Sequence, residues 1–251
     1  VQATYATLPT PGKQNEDYVV AAPDWAAVFD GATPPSGVDS GCVHGVPWLV
    51  RQLAAETAQR MPRNDTPLPD LLADAIRATC AAHQHTCDLT NPSSPSTTVT
   101  VVRFTGDQLE YLVLADSPLV LHTDDGVTAV VDDRVDRLPS YAVEAVARRR
   151  NQPDGFWVAS TTAWAAYEAL HGHVPVAELR RVALLTDGAS RYVQRFQLGD
   201  WASLLDLLEE SGPAHLLQRV RAAEAGETPQ QRQERRGKAH DDATAVFLKF
   251  R

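Results

Sequence analysis

Cysteine is scarce in this sequence, with three in 251 residues. So few, odd in number and without regular spacing, exclude a disulfide framework, and a reducing, cytoplasmic setting is the simplest expectation. Long apolar runs are missing too. None approaches the ~20 residues that span a bilayer, so no membrane association is expected. The start at Val1 lacks the charged-then-apolar pattern of a secretory leader, although a chain without an initiating Met is open to earlier trimming. Positive charge is short: 23 Lys and Arg stand against 32 Asp and Glu, a formal net charge of -9. That disfavours nucleic acid as a partner, because phosphate backbones are bound by basic surfaces. Hydrophobic residues make up 43%, enough for a sizeable core. With no repeat and no interdomain linker, residues 1–251 read as a single domain.

Against these absences one figure recurs. Residues 182–188, VALLTDG, are a short apolar run that stops at Asp187-Gly188. AAVFDG at 26–31 ends in Asp30-Gly31, YLVLADS at 111–117 ends in Asp116-Ser117, and HDDATAVFLKF places Asp241 and Asp242 just before the last apolar segment. Asp is poor inside strands and costly to bury unpaired. If the four strands lie side by side, their carboxylates converge on one rim. Clustered carboxylates repel, and they persist around hard divalent cations with oxygen ligands. The plainer alternative is that each Asp-Gly is a turn dipeptide.

The rest of the chain supplies the scaffold. Residues 2–8 read as a strand, and a polar stretch at Gln14–Asp17 leads into a second through Val19 and Val20. Trp25–Phe29 follows at hairpin spacing, which brings Glu16 close to Asp30. Val46, Leu49, Val50, Leu53 and Ala54 repeat at helical spacing, as do Leu68, Leu71, Leu72, Ala75, Ile76 and Thr79. TTVTVVRF, LEYLVLA, PLVLHT and VTAVV then predict an antiparallel meander. Helices are expected around Tyr141–Arg149 and Ala163–Leu170, with GFWVAS as a short strand between them. More helices are expected at 189–196, 200–210 and from Ala214 to about Ala225, and Thr244–Phe250 forms a central strand. This order predicts an α+β fold of two packed antiparallel β-sheets flanked by helices.

The motifs QNEDYV (14–19), VFDGA (28–32), SPSTTVTVV (94–102), LADSP (114–118), LLTDGAS (184–190) and HDDATAVFL (240–248) stand in an order that resembles the type 2C metal-dependent serine/threonine protein phosphatases in their bacterial form. The resemblance spans nearly the whole chain. It implies a four-layer αββα sandwich and a phosphomonoesterase acting on phosphoserine or phosphothreonine in proteins through a metal-activated bridging water. It also implies roles. Asp30 would bridge two Mn²⁺ or Mg²⁺ ions, with the Gly31 carbonyl on one. Asp187 and Asp241 would hold the other, and Glu16 would assist through water. Asp116 would share a third, weaker ion with Asp187.

Several positions depart from the family pattern. An Arg normally precedes the Asn-Glu-Asp motif and grips the substrate phosphate; here only Lys13 stands there. Lys13 either substitutes for it as a point charge or is a solvated turn lysine. Ala32 replaces the His of animal members. Ala115 replaces the first Gly of Gly-Asp-Ser, and Pro118 follows the Ser, which bears on the third ion. Asp242 stands for the usual Asn and reads as a cap or turn residue, with a surrogate metal ligand as the alternative. Two rival functions follow: the same chemistry on a small phosphorylated metabolite, and a regulatory module without catalysis.

Three further features compete for attention. CAAHQHTC at 80–87 sets Cys80, His83 and Cys87 on one helical face, but the spacing matches no common zinc pattern. A helix end with buried Cys and exposed His accounts for it. Arg232, Arg235, Arg236 and Lys238 read as a solvated charge run, with greeting a phosphorylated substrate as the alternative. Trp157 and Trp164 read as core residues in a segment that varies beside the family's active site, with lining a substrate cleft as the alternative.

Overall fold

A computed structural model of the chain describes residues 1–34, 37–231 and 238–250. Arg232, Arg235 and Arg236 lie outside the described residues. The strands are β1 (Gln2–Leu8), β2 (Tyr18–Ala21), β3 (Trp25–Phe29), β4 (Gly31–Ala32), β5 (Ser96–Thr97), β6 (Val99–Thr105), β7 (Gln108–Leu114), β8 (Leu119–Thr123), β9 (Gly126–Val130), β10 (Leu170–Pro175), β11 (Leu179–Leu185) and β12 (Ala243–Lys249). The helices are α1 (Val46–Arg60), α2 (Leu68–His83), α3 (Val143–Arg149), α4 (Asp187–Gln194) and α5 (Trp201–Gly226). One five-stranded sheet runs β1-β12-β11-β8-β9 and the other β10-β7-β6-β3-β2, with β4 and β5 paired beside them. Every pairing within the sheets is antiparallel.

Three apolar layers hold this together. Trp25, Ala27, Phe29, Val99, Val101, Leu112 and Leu114 face α1 and α2. Ala26, Val28, Val102, Val113, Leu119, Val182, Leu184, Val246 and Leu248 fill the space between the sheets. Val120, Ala183, Leu185, Ala245 and Phe247 face α4 and α5. The central strands are therefore buried on both faces. That is why segments such as AAVF and VALL read as continuous apolar runs rather than alternating ones. The expected αββα sandwich is the observed fold.

Three expectations change. The four strands from 97 to 131 are not one meander. β6 and β7 pair in one sheet, β8 and β9 in the other, and the chain crosses between sheets at Ala115–Pro118. GFWVAS forms no strand, only isolated bridges at Phe156 and Ala159. Its buried side chains are divided between two core clusters. Conversely LHGHVP, with its Gly and terminal Pro, is edge strand β10, where Pro is tolerated. Residues Ala163–Glu168 are a 3₁₀ helix, whereas the expected break at Gly212-Pro213 is found: Gly212 leaves the helical conformation at φ 81°, so α5 is two helices joined at a kink.

The crossover carries backbone strain. Ala115 sits at φ 70°, in the left-handed region that a Cβ disfavours. It is held there because its N–H donates to Asp132 (3.3 Å), which is buried and ion-paired with Arg134. Asp116 and Ser117 follow directly, so the strain lies beside the carboxylate rim. Ala115→Gly should stabilise the fold by ~1 kcal/mol, or about 2–4 °C in thermal midpoint. A thermal melt checks this, and a lower midpoint would show that the methyl group packs better than the strain costs.

Candidate metal centre

The strand-end carboxylates do meet. Asp30 follows β3, Asp187 opens α4, Asp116 lies on the crossover, and Asp241 sits just before β12. Electrostatically Asp30 feels Asp187, Asp17, Asp241 and Asp116. The two glycines beside these carboxylates are not turn glycines. Neither Gly31 nor Gly188 has positive φ, unlike Gly106 and Gly126 in the hairpin turns. A Cβ on Gly31 would stand 2.4 Å from Val46 Cγ1 and 2.7 Å from the Glu16 carbonyl oxygen. One on Gly188 would stand 1.8 Å from the Asp242 carbonyl oxygen. Close backbone approach at the rim, not turn conformation, requires glycine at both positions.

Hydroxyl groups lock Asp30 and the crossover together. The Asp30 carbonyl accepts from Thr98 N–H (2.9 Å) and Thr97 Oγ1 (2.8 Å), and Thr98 Oγ1 accepts from Asp30 N–H (3.3 Å). Thr98 Oγ1 is also 2.6 Å from Ser117 Oγ, and Thr100 Oγ1 donates to the Ser117 carbonyl (2.5 Å). This is the physical content of the Thr-rich strand entry. Asp30 Oδ2 accepts the Asp187 N–H at 3.2 Å, at the start of a helix whose exposed N–H groups favour negative charge. Asp242 takes the structural role expected of it: its oxygens accept the N–H groups of Thr10 and Glu16, both at 2.6 Å.

Other predicted residues stand further out. Glu16 turns its carboxylate to the Thr33 hydroxyl. Lys13 is exposed on the turn whose Lys13 N–H bonds the Thr10 carbonyl (3.0 Å). It lines an open cleft of about 670 Å³ with Glu16, Thr33, Lys238 and Asp241. A second cleft of about 530 Å³, lined by Asp116, Asp187, Arg191, Lys238 and Asp241, adjoins it. Trp157 is buried in the core, whereas Trp164 is exposed and donates to Glu168.

Three residues of the site were missed in the sequence. Asp17 lies buried, with Oδ2 accepting from Thr186 Oγ1 (2.9 Å) and Oδ1 without a partner. Its signal was the third letter of Asn-Glu-Asp. Arg191, one turn after Asp187, reaches Asp241 Oδ2 (2.9 Å) and the fully buried Glu224 (2.7 Å). Lys238, read as part of a solvated run, bonds Asp241 Oδ1 at 3.0 Å.

Charge is unbalanced. Burial pushes the Asp30 carboxyl well above its usual range, with Asp187 and Asp17 adding to it. Burial, then Asp187, takes Asp116 to about 7; burial takes Asp17 to about 8, against the hydrogen bonds from Thr244 and Thr186. Burial, then Asp241, also raises Asp187. For Lys238, burial opposes the charge, and Asp241, Asp187 and Asp30 outweigh it, so its ammonium is held above its ordinary range. Asp187 Oδ1 is buried without a hydrogen-bond partner. An orphaned oxygen among crowded carboxylates fits hard divalent cations. Among the described residues this group forms no tight three-ligand cluster of the kind seen at Cys42, His83 and Cys87.

An αββα sandwich with this rim has the form of a metal-dependent phosphatase. The sequence profile of the family "Protein phosphatase 2C" matches residues 11–225, and the chain belongs to that family. The match stops short of Asp241. Among solved structures, the catalytic domain of the serine/threonine protein phosphatase PstP in complex with two manganese ions is 19% identical, with a TM-score of 0.60, covering 99% of this chain and 97% of that one. Stp1 from Staphylococcus aureus is 14% identical, with a TM-score of 0.65, covering 100% and 95%. MsPP from Mycobacterium smegmatis, in complex with cacodylate, is 17% identical, with a TM-score of 0.58, covering 100% and 99%. No curated protein matches the sequence. Among the described residues no helix is long and apolar enough to cross a membrane.

The raised carboxyls set the pH response of the metal-free protein. The folded chain holds protons that the unfolded chain releases, so stability is present at low pH and falls as pH rises through the folded values. The thermal midpoint in chelator should therefore fall between about pH 4 and pH 8, the span from the ordinary Asp value to that of Asp17. Asp17→Asn should flatten the upper part, and Mn²⁺ should raise the midpoint most at the alkaline end. A midpoint that rises across this span would show that the carboxylates are not crowded.

Proposed function

We propose that this protein hydrolyses phosphoserine and phosphothreonine in proteins, using two Mn²⁺ or Mg²⁺ ions held at the carboxylate rim. The observation that carries this reading is Asp30, Asp187 and Asp241 brought together on one rim within a phosphatase 2C fold. That PstP is described with two manganese ions supports the choice of metal. Asp30 would serve both ions, the Gly31 carbonyl one of them, and Asp187 and Asp241 the other, with Glu16 assisting. When bound, the ions supply an activated water at neutral pH and cancel phosphoryl charge.

The chain's own residues set the conditions. Asp116, Asp136, Asp187 and Asp241 line the cleft at the rim against Arg191, Arg195 and Lys238, with Asp30 beside them, so bound divalent ions would take the place of the carboxyl protons and supply the positive charge that receives a phosphate. Arg191 and Lys238 bond the two Asp241 oxygens and orient the carboxylate. A carboxylate has about four lone-pair sites, so Asp241 can keep both partners and still ligate. Asp116 and Asp187 offer a third, weaker position. Lys13, in the adjoining cleft, would meet the substrate phosphate.

Asp30→Asn should lower kcat/KM with p-nitrophenyl phosphate and Mn²⁺ by about 10²–10³-fold or more, the scale on which an electrostatic clamp acts. Circular dichroism should show the fold retained. Full activity in that variant would remove the site assignment. A panel of phosphopeptides and phosphorylated metabolites should show the peptides turned over preferentially; preference for a metabolite would change the substrate class.

Lys13→Ala tests the phosphate grip. One charge-assisted hydrogen bond is worth about 1.5–3 kcal/mol, or roughly one to two decades in kcat/KM. The loss should fall mainly on KM, and Lys13→Arg should preserve or improve the value, because its fork holds two oxygens. Unchanged kcat/KM in Lys13→Ala with both a phosphopeptide and a small ester would make Lys13 a solvated turn residue and pass the grip to Lys238.

A further inference from the structure

A second group of ligating side chains lies away from the carboxylate rim. α2 ends at His83, so Cys87 falls beyond the helix, and Cys80 turns aside to the carbonyls of Ser160 and Thr161. The partner of Cys87 is Cys42, from the loop between β4 and α1. Cys42 Sγ lies 2.8 Å from Cys87 Sγ and 3.6 Å from His83 Nδ1. All three ligand atoms lie within 4.8 Å of one another. His83 is buried rather than exposed, and its Nε2 has no hydrogen-bond partner.

We propose that Cys42, His83 and Cys87 bind a divalent ion of the zinc class, which staples the loop before α1 to the end of α2. Two thiols and an imidazole are soft and borderline donors, a set that selects zinc over the hard ions suited to the Asp rim. A tetrahedral zinc with sulfur at about 2.3 Å and nitrogen at about 2.0–2.1 Å spaces its ligands roughly 3.5–3.8 Å apart, which matches the His83–Cys42 separation and requires the two sulfurs, 2.8 Å apart, to part by about 1 Å.

A fourth ligand stands ready. The His44 ring is stacked on Trp48 at 4.0 Å, and its centre is 6.0 Å from that of His83. Two imidazoles on one tetrahedral ion hold their ring centres roughly 5 Å apart, so a modest rotation of His44 completes the set. A disulfide would use Cys42 and Cys87 and give the buried imidazole beside them no part, whereas an ion held through His83 Nδ1 engages all three residues.

The staple has a purpose in the fold. The loop it would fix already leans on residues 88–94, through Asp88 N–H to the Gly41 carbonyl (2.7 Å) and Asn91 Nδ2 to the Asp39 carbonyl (3.1 Å). Val38, Ser40, His44 and Gly45 line the cleft that holds Glu16 and Asp241. Tying Cys42 to α2 would set the shape of that wall.

The test is metal analysis of the full chain, grown with zinc and dialysed against excess Mn²⁺. About one thiol-dependent zinc should remain in the wild type and in Asp30→Asn, whose rim is disabled, and should be absent from Cys42→Ser and Cys87→Ser. His83→Gln should weaken zinc binding by roughly tenfold or more. Co²⁺ added to the reduced wild type should produce a thiolate-to-cobalt charge-transfer band, a signal that carboxylate sites cannot give and that needs no variant to fold. No such band with both thiols titrating as free, or zinc that leaves with Asp30→Asn instead, would overturn the proposal. So would a Cys42–Cys87 disulfide found by peptide mapping of protein purified under nitrogen, which would make the pair a redox element.

Discussion

The structure depends on keeping like charges together. Asp30, Asp116, Asp187 and Asp241 come from four segments far apart in sequence, and none gains from the others in the absence of cations. Mutual repulsion would splay the strand ends unless something else fixed them. Two devices do so. The hydroxyls of Thr97, Thr98 and Thr100 bind the Asp30 and Ser117 backbones on one side. On the other, Glu224 is fully buried among Arg191, Arg221 and His240, and this network ties α5 to the segment that carries Asp241. Removing one partner of such a buried network leaves an uncompensated charge, typically at a cost of about 3–5 kcal/mol. The three apolar layers then have only to hold the two sheets in register, and the polar ties aim the carboxylates.

What was legible in the sequence was whatever depends on near neighbours. Apolar runs ending in Asp, helical spacing in α1 and α2, and the β2–β3 hairpin near Glu16 all express local periodicity, and each is found. The crossover at Ala115–Pro118 was not legible, because two strands joined by a short link look the same whether they share a sheet or switch between sheets. Only the left-handed Ala115, held by distant Asp132, shows which occurred. Arg191, Asp17 and Cys42 were missed for a related reason. Each acquires its role from a partner between 41 and 169 residues away in sequence, at Asp241, Thr186 and His83. Residue type alone gave no hint: an Arg on a helix and a Cys in a loop are unremarkable until the fold supplies the other half.

The Asp-Gly pairs show how a local reading can be right for a reason the sequence does not contain. Asp-Gly is a turn signal, and at Asp125-Gly126 it is a turn, with Gly126 at φ 123°. At Asp30-Gly31 and Asp187-Gly188 the glycine is needed because another stretch of backbone passes where a Cβ would be. At Gly188 that backbone belongs to Asp242, next to Asp241. The same absent methyl group therefore lets α4 and the entry to β12 approach, and places Asp187 beside Asp241. Glycine here is a packing requirement of the carboxylate rim.

Two donor chemistries in one chain also constrain each other. Oxygen ligands at the rim and sulfur with nitrogen at Cys42, His83 and Cys87 differ in hardness, so each set has a preferred class of ion. Hardness ranks affinities without forbidding exchange, and zinc binds carboxylates tightly enough to compete with harder ions at an oxygen-lined rim. Separation must then come from structure. The rim opens to solvent through two clefts, whereas His83 is buried beneath Trp48 and His44. An ion at the thiol set would be held by burial and by softer bonds, and an ion at the rim by charge in an open site. Burial on one side and access on the other would let an ion at the thiols stay fixed while ions at the rim exchange.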